Sequence, residues 1–391
     1  MSTEPLASAA PSPFLSLPGA VAATGDDATV AAHYGDPFRE QRALAAGAAI
    51  VDLSSRAILS VGGPDRLTWI DSISSQSVRG LVPGQSSETL ILDQTGRLEY
   101  AVGLVDDGET LWMLLERAQA PGLLAWLLRM RFMLRVEPTD RSAEFVTIGS
   151  VGPVPGLPAA SPDGVPLVWR DPWNRVADGG YQYAAPTGHP AADWSWQETI
   201  VPREALATIS AGVAAGAGAP IGVAPSPAAP SHVAGLLAAE ALRIAAWRPR
   251  FSAEADEKAI PHEFDWLRSA VHLSKGCYRG QETVAKVHNL GHPPRRLVML
   301  HLDGSEAVLP APGDVVSLGE KAVGVITSSA IHFELGPIAL ALVKRTTDET
   351  AVLSVAASDA LVAAAQEIIV PATAGAVAGV PRLPRLGAVQ R

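Results

Sequence analysis

The residues best suited to chemistry stand together at Lys275-Gly276-Cys277-Tyr278-Arg279-Gly280-Gln281-Glu282. This octapeptide sets a thiol between two glycines and two cations. Lys275 and Arg279 each lie two residues from Cys277, so in an extended segment the three side chains share a face. A cation beside a thiol favours the thiolate, the nucleophilic form. Gly276 and Gly280 allow close backbone approach to a ligand, and Gln281 and Glu282 add an amide and a carboxylate. Cys277 is the single cysteine of 391 residues. No intramolecular disulfide can form, and one thiolate cannot hold a standard iron–sulfur cluster or a structural zinc ion. The local chemistry leaves two readings open: a reactive thiol, or a small buried apolar side chain.

Other candidates surround the octapeptide. His262, His272, His288 and His292 fit no zinc-ligand spacing, and ordinary polar or capping roles are expected of them. A Cys–His hydrolase would need an orienting Asn or Asp and an oxyanion hole, and no pattern supplies them. Arg295-Arg296 could meet an anionic ligand tail or simply open a solvated strand. Trp266 is the aromatic neighbour to watch beside a flat ligand, with core packing as its ordinary role.

Composition narrows the classes. A hydrophobic fraction of 48% with 18% charged residues is that of a globular chain. A formal net charge of −10 argues against a broad nucleic-acid surface, which needs clustered Lys and Arg. No Lys or Arg precedes Arg39 and four prolines interrupt the first 18 residues, unlike a secretory signal. The uncharged stretch between Glu204 and Glu240 is broken by Pro220, Pro225, Pro227 and Pro230, so no membrane span is expected. A cytoplasmic protein is the expectation.

The elements that must position these residues read as follows. Residues 1–30, rich in Ala, Ser and Pro, are expected to be a disordered tail. Structure is expected to start at Asp36-Pro37, an N-cap and first-turn proline, with a helix stopped by Gly47. A strand pair is expected from Ile50 to Val61, and Gly63-Pro64-Asp65 opens a second helix. A meander spans Thr89 to Leu115, with turns at Gln94-Thr95-Gly96 and Asp107-Gly108, and a Leu-rich helix covers Ala118 to Phe132. This order predicts a first α+β domain over 31–135. A second α+β domain over 136–292 carries the octapeptide and an Ala/Pro-rich insertion at Ala211–Ser231. Short strands between Gly turns predict a small β-barrel over 293–375, followed by a tail over 376–391.

The octapeptide resembles the signature Lys-Gly-Cys-Tyr/Phe-x-Gly-Gln-Glu of the YgfZ family and its mitochondrial iron–sulfur assembly relatives. Ala241-Leu242-Arg243-Ile244 and Ile260-Pro261-His262-Glu263 resemble that family's lead-in segments. Gly324-Val325-Ile326-Thr327-Ser328 is similar to a barrel strand of the aminomethyltransferase fold. Asp52-Leu53-Ser54 and Gly96-Arg97 followed by Tyr100 fit its first domain, so the likeness runs over roughly 35–350. The resemblance implies an α+β, GcvT-like aminomethyltransferase fold: two α+β domains with antiparallel sheets and a small C-terminal β-barrel around a central cleft. It implies tetrahydrofolate or another reduced folate in that cleft. Cys277 and Lys275 would be the working residues. Gly276, Tyr278, Arg279, Gly280, Gln281, Glu282, Glu263 and Tyr100 would be the folate contacts. It further implies a role in assembling or maintaining iron–sulfur enzymes, some of them tRNA-modifying, with those enzymes or assembly proteins as partners.

The departures point elsewhere. Transferases of this fold carry an Asp-Asp pair where this chain has Glu99 and Tyr100, followed by Ala101, and a Glu after Arg-Leu where it has Ala245. No aminomethyl transfer from the glycine-cleavage carrier protein is therefore expected. Two further readings stand beside the accessory factor: a folate-dependent one-carbon transferase or demethylase, and a folate-binding regulatory module without thiol chemistry.

Overall fold

The computed structural model describes residues 10–216, 232–305 and 308–379. A short antiparallel pair, β1 (Val21–Ala22) and β2 (Ala31–His33), precedes α1 (Pro37–Ala45). Asp36 caps α1 by accepting the Arg39 N–H at 3.0 Å, and Gly47 leaves the helix at φ +71°. Then come β3 (Ala49–Asp52), β4 (Ala57–Gly62) and α2 (Arg66–Ile73). The expected meander is β5 (Ser86–Leu92), β6 (Leu98–Asp106) and β7 (Thr110–Leu115), followed by α3 (Ala120–Met130). The middle of the chain holds β8 (Glu137–Asp140), β9 (Phe145–Val151), β10 (Val168–Arg170), β11 (Trp196–Pro202), α4 (Leu206–Gly216) and β12 (His232–Ala234). Four helices follow: α5 (Leu236–Ala245), α6 (Phe251–Glu254), α7 (Leu267–Ala270) and α8 (Gln281–Leu290). The last lobe is β13 (Arg295–Leu302), β14 (Val315–Leu318), β15 (Lys321–His332), β16 (Gly336–Lys344), β17 (Leu353–Ala357) and β18 (Ala360–Ile368).

The strands form two five-stranded sheets, β5-β6-β7-β4-β8 and β10-β11-β9-β3-β12, and a closed barrel β13-β16-β15-β14-β17-β18. All pairings are antiparallel except β12 with β3. Closure removes the free edges that short strands would otherwise expose. The largest apolar core joins all three lobes: Val51 and Ile200 from the second sheet, Leu90 and Ile58 from the first, Leu297 and Leu340 from the barrel.

Several expectations need correction. Residues 10–30 are ordered, not a tail: Phe14 is fully buried among Ile50, Val146 and Ile148, and Ser12 caps its short helical turn. One large aromatic anchor outweighs a low-complexity composition. Ile50 to Val61 is not a strand pair, since β3 and β4 run into different sheets. The first two lobes also interleave across the 135/136 boundary. β3 joins the second sheet, while β8 covers the free edge of β4 in the first. The Ala211–Ser231 insertion begins inside α4, and its residues 217–231 lie outside the described residues. The segment to residue 379 is no free tail: the Val377 and Ala378 N–H groups bond the His288 and Asn289 carbonyls at the end of α8.

Candidate functional site

Two glycines create the floor of the site. A Cβ on Gly103 of β6 would stand 2.8 Å from the Trp169 indole, and one on Gly149 of β9 would stand 2.5 Å from that of Trp196. Bare backbone therefore lets two indoles lie against the sheets. Trp194 stacks on Trp196 at 5.8 Å, and Trp169 is fixed by its Nε1–H to the Ser87 carbonyl at 2.7 Å. Two adjoining cavities of ≈100 and ≈110 Å³ open over these rings. They share Arg56, Trp169, Glu198, Arg248, Pro249 and Arg250. The strand period of two decides what β6 contributes. Ala101, Val102 and Gly103 line the cavity, whereas the Tyr100 and Leu104 side chains pack with Trp69 and Leu123 under α2 and α3.

The walls are charged, and the charges are mostly paired. Arg248 donates from Nη2 to Glu88 at 2.5 Å and from Nε to Asp171 at 2.9 Å, with its guanidinium over Trp173. Burial opposes its charge, but Asp171 and Glu88 outweigh burial and raise its pKa. Glu88 also accepts from Trp266 Nε1 at 3.0 Å and Ser269 Oγ at 2.8 Å. In the second cavity burial would raise the Glu240 pKa, but Arg243 and Arg250 hold it down at about 2. Glu198, 3% exposed on β11, accepts from Arg56 Nη1 and from Trp196 Nε1 through Oε1. Its Oε2 has no hydrogen bond among the described residues. Arg248 Nη1 is likewise buried without a partner. A flat heterocycle with N–H donors and an anionic end would satisfy these atoms.

The octapeptide lies elsewhere. Among the described residues, none of Lys275 to Glu282 lines either cavity. Gly280 (φ +83°) meets Gly96 (φ +80°) of the β5–β6 turn, where a Cβ on Gly280 would stand 2.6 Å from the Asp93 carbonyl. The two glycines let the start of α8 dock on that turn. Lys275 turns to the end of α2. Its Nζ donates to the carbonyls of Asp71, Ser74 and Gln76 at 2.5, 2.9 and 2.7 Å, closing the end of α2. Arg279 pairs with Glu99 at 2.6 Å. Tyr278 is buried beneath Lys275, and the Gln281 side chain donates to the Lys275 carbonyl at 3.1 Å. Gly276, Cys277 and Glu282 are exposed. Both cations are drawn away by stronger partners, carbonyl dipoles and a carboxylate.

Glu263 is fully buried and braces Arg295 at 2.8 Å, so it is a strut to the barrel. Tyr100 points under α3, its hydroxyl against Gly122. Arg295 also pairs with Asp256, and Arg296 is buried against the Thr347 carbonyl, so neither opens a solvated strand. His288 Nδ1 meets the Tyr183 hydroxyl at 2.9 Å, and the His262 ring meets the Val284 carbonyl at 3.0 Å. Trp266 is both core and cavity wall. Sequence reasoning missed Glu198, Arg56, Arg248 and Gln119. The available signals were the alternation Trp194-x-Trp196-x-Glu198 and the pair Arg248-Pro249-Arg250.

Lys275 should therefore matter for stability rather than ligand binding. Lys275→Met is expected to lower the unfolding free energy by about 2–4 kcal/mol, since three carbonyls lose a charged donor. Urea denaturation checks this, with ligand affinity unchanged in the folded variant.

No family model matches the chain. It is 27% identical over 324 residues to an aminomethyltransferase of Herpetosiphon aurantiacus, covering 80% of this chain and 82% of that protein. It is 24% identical over 307 residues to a chloroplastic protein of Arabidopsis thaliana whose name places it among transferases, covering 75% of this chain and 65% of that one. The crystal structure of the glycine-cleavage aminomethyltransferase T of Bartonella henselae superposes with a TM-score of 0.67 at 16% identity, over 90% of this chain and 94% of that one. The chain has the aminomethyltransferase fold, two α+β lobes and a closed six-stranded barrel around a shared centre.

Proposed function

We propose that the central cleft binds a reduced folate and that the protein is a folate-dependent one-carbon transferase. The observation that carries this reading is Glu198: a buried carboxylate in the wall of both cavities, with Oε2 unpaired and indoles on either side. A pterin presents adjacent N–H donors on a flat ring, which a carboxylate between aromatic walls suits. Arg250, half-buried in the wall of both cavities, suits an anionic group of the ligand. The residues present thus fit the group. Bound folate would supply the nitrogen atoms that carry a one-carbon unit. The chain's own part is to fix the ring, exclude water with Trp169, Trp266 and Phe251, and hold the tail. The likeness to the Herpetosiphon aminomethyltransferase supports the transferase class.

No aminomethyl transfer from the glycine-cleavage carrier protein is expected, because Ala101 lines the cavity and Glu99 is engaged by Arg279. Titration calorimetry with tetrahydrofolate tests the binding reading: one site per chain in the micromolar range is expected, and no heat with no thermal shift contradicts it. A second reading, a folate-using accessory factor for iron–sulfur enzymes, rests on the exposed Cys277 in its octapeptide. Cys277→Ser separates the two. A transferase keeps its turnover, whereas an accessory factor no longer restores iron–sulfur enzyme activities in cells lacking the protein.

A further inference from the structure

Where α3 runs out and turns toward β8, every residue from Leu128 to Arg135 is exposed. The stretch reads Leu-Arg-Met-Arg-Phe-Met-Leu-Arg. Phe132 is 86% and Met133 96% exposed, more than any other large apolar side chain among the described residues. The apolar surface continues along the outer side of α3. Ala120, Leu123 and Leu127 are buried in the core of the first sheet, while Pro121, Gly122, Ala125 and Leu128 are exposed and carry no polar side chain. The turn is held in place from behind. Val136 is buried, the Leu134 N–H bonds the Arg131 carbonyl at 2.9 Å, and a Cβ on Gly63 would stand 2.2 Å from the Arg135 carbonyl. Phe132 sits at φ +44°, which bulky residues rarely adopt, and its ring gains little burial within the chain in return. A fixed, contiguous apolar patch of this kind marks an interaction surface.

The charge around the patch says what covers it. No Asp or Glu occurs between Glu116 and Glu137, although the whole chain carries a formal net charge of −10. Arg135 pairs with Asp65, whereas Arg129 and Arg131 have no ion pair or hydrogen bond among the described residues. A second copy of the chain fits poorly. A two-fold contact would set the arginines of one patch against those of the other, with no acid in the stretch to separate them. We propose that this patch docks the protein on an anionic phospholipid surface. A bilayer supplies both needs in one plane: acyl chains for Phe132, Met133 and Leu134, and headgroup phosphates for Arg129 and Arg131. The apolar stems of the two arginines can run along the tip while their guanidinium groups stay at the headgroups. The tip lies on such a surface without spanning it, and it needs no matching groove.

Flotation of the full chain with phosphatidylcholine vesicles, with and without phosphatidylglycerol, tests the proposal. At low salt the wild type is expected to bind the mixed vesicles at least about tenfold more than phosphatidylcholine alone, a preference that added salt screens. Phe132→Ser/Met133→Ser and Arg129→Glu/Arg131→Glu should each cut binding to the mixed vesicles by about tenfold or more. All four positions are exposed, so the melting temperatures should stay near that of the wild type. Val352→Ser, an exposed apolar position between β16 and β17, should float like the wild type. No flotation of the wild type with the mixed vesicles, equal flotation with both compositions, or undiminished flotation of the double variants overturns the proposal. Sedimentation velocity without lipid covers the rival occupant. A wild-type dimer that Phe132→Ser/Met133→Ser abolishes would give the patch to a second copy and overturn the lipid reading.

Discussion

Glu198→Gln is expected to weaken reduced-folate binding by about 2–4 kcal/mol, roughly thirty- to a thousandfold. The substitution keeps an oxygen that can still accept from Arg56 and Trp196 Nε1, so the β11 wall stays in place. It turns the unpaired Oε2 into an NH₂ group, which sets a donor against the donors of the ligand. The melting temperature should fall as well, because Arg56 loses its carboxylate partner, so affinity is compared at a temperature where both proteins are folded. A variant that binds tetrahydrofolate as tightly as the wild type would remove Glu198 from the site.

The second large effect concerns stability. Arg248→Met is expected to lower the unfolding free energy by about 3–5 kcal/mol, because it leaves two buried carboxylates, Glu88 and Asp171, without their cation. The guanidinium also packs over Trp173 and Trp266, and its loss disturbs the cavity wall. The exposed Arg135–Asp65 pair is the contrasting case: solvent screens it, and its removal should be close to silent. Urea denaturation of both variants checks the difference. Comparable small losses in the two would mean that the charged wall is no more demanding than the surface.

What the sequence made legible follows the range of the interactions involved. The β5–β6–β7 meander could be read because turn residues and alternating apolar residues are local: Asp93 and Gly96 build one turn, Asp107 and Gly108 the next. The barrel was legible for the same reason. The ordered start of the chain was not, because the packing of Phe14 on Ile50 and Ile148 is a long-range contact that composition does not carry. The site was harder still. Arg56, Glu88, Gln119, Glu198 and Arg248 come from five separate stretches and meet only when the two sheets and the segment after α5 pack together. The octapeptide stood out as a motif, yet its geometry gives much of it a docking role. Gly280 seats on Gly96, Lys275 closes α2, and Arg279 ties Glu99. Two cations that flank a thiol in sequence can each be engaged by another partner in the fold.

Hydrogen–deuterium exchange with and without saturating tetrahydrofolate tests the central claim most directly, because it reports both occupancy and place. Binding in the central cleft predicts slower exchange in peptides covering Leu115–Gln119 and Arg248–Phe251, with little change over Lys275–Glu282. Protection confined to Lys275–Glu282, with none at the β7–α3 junction or around Arg248, would contradict it.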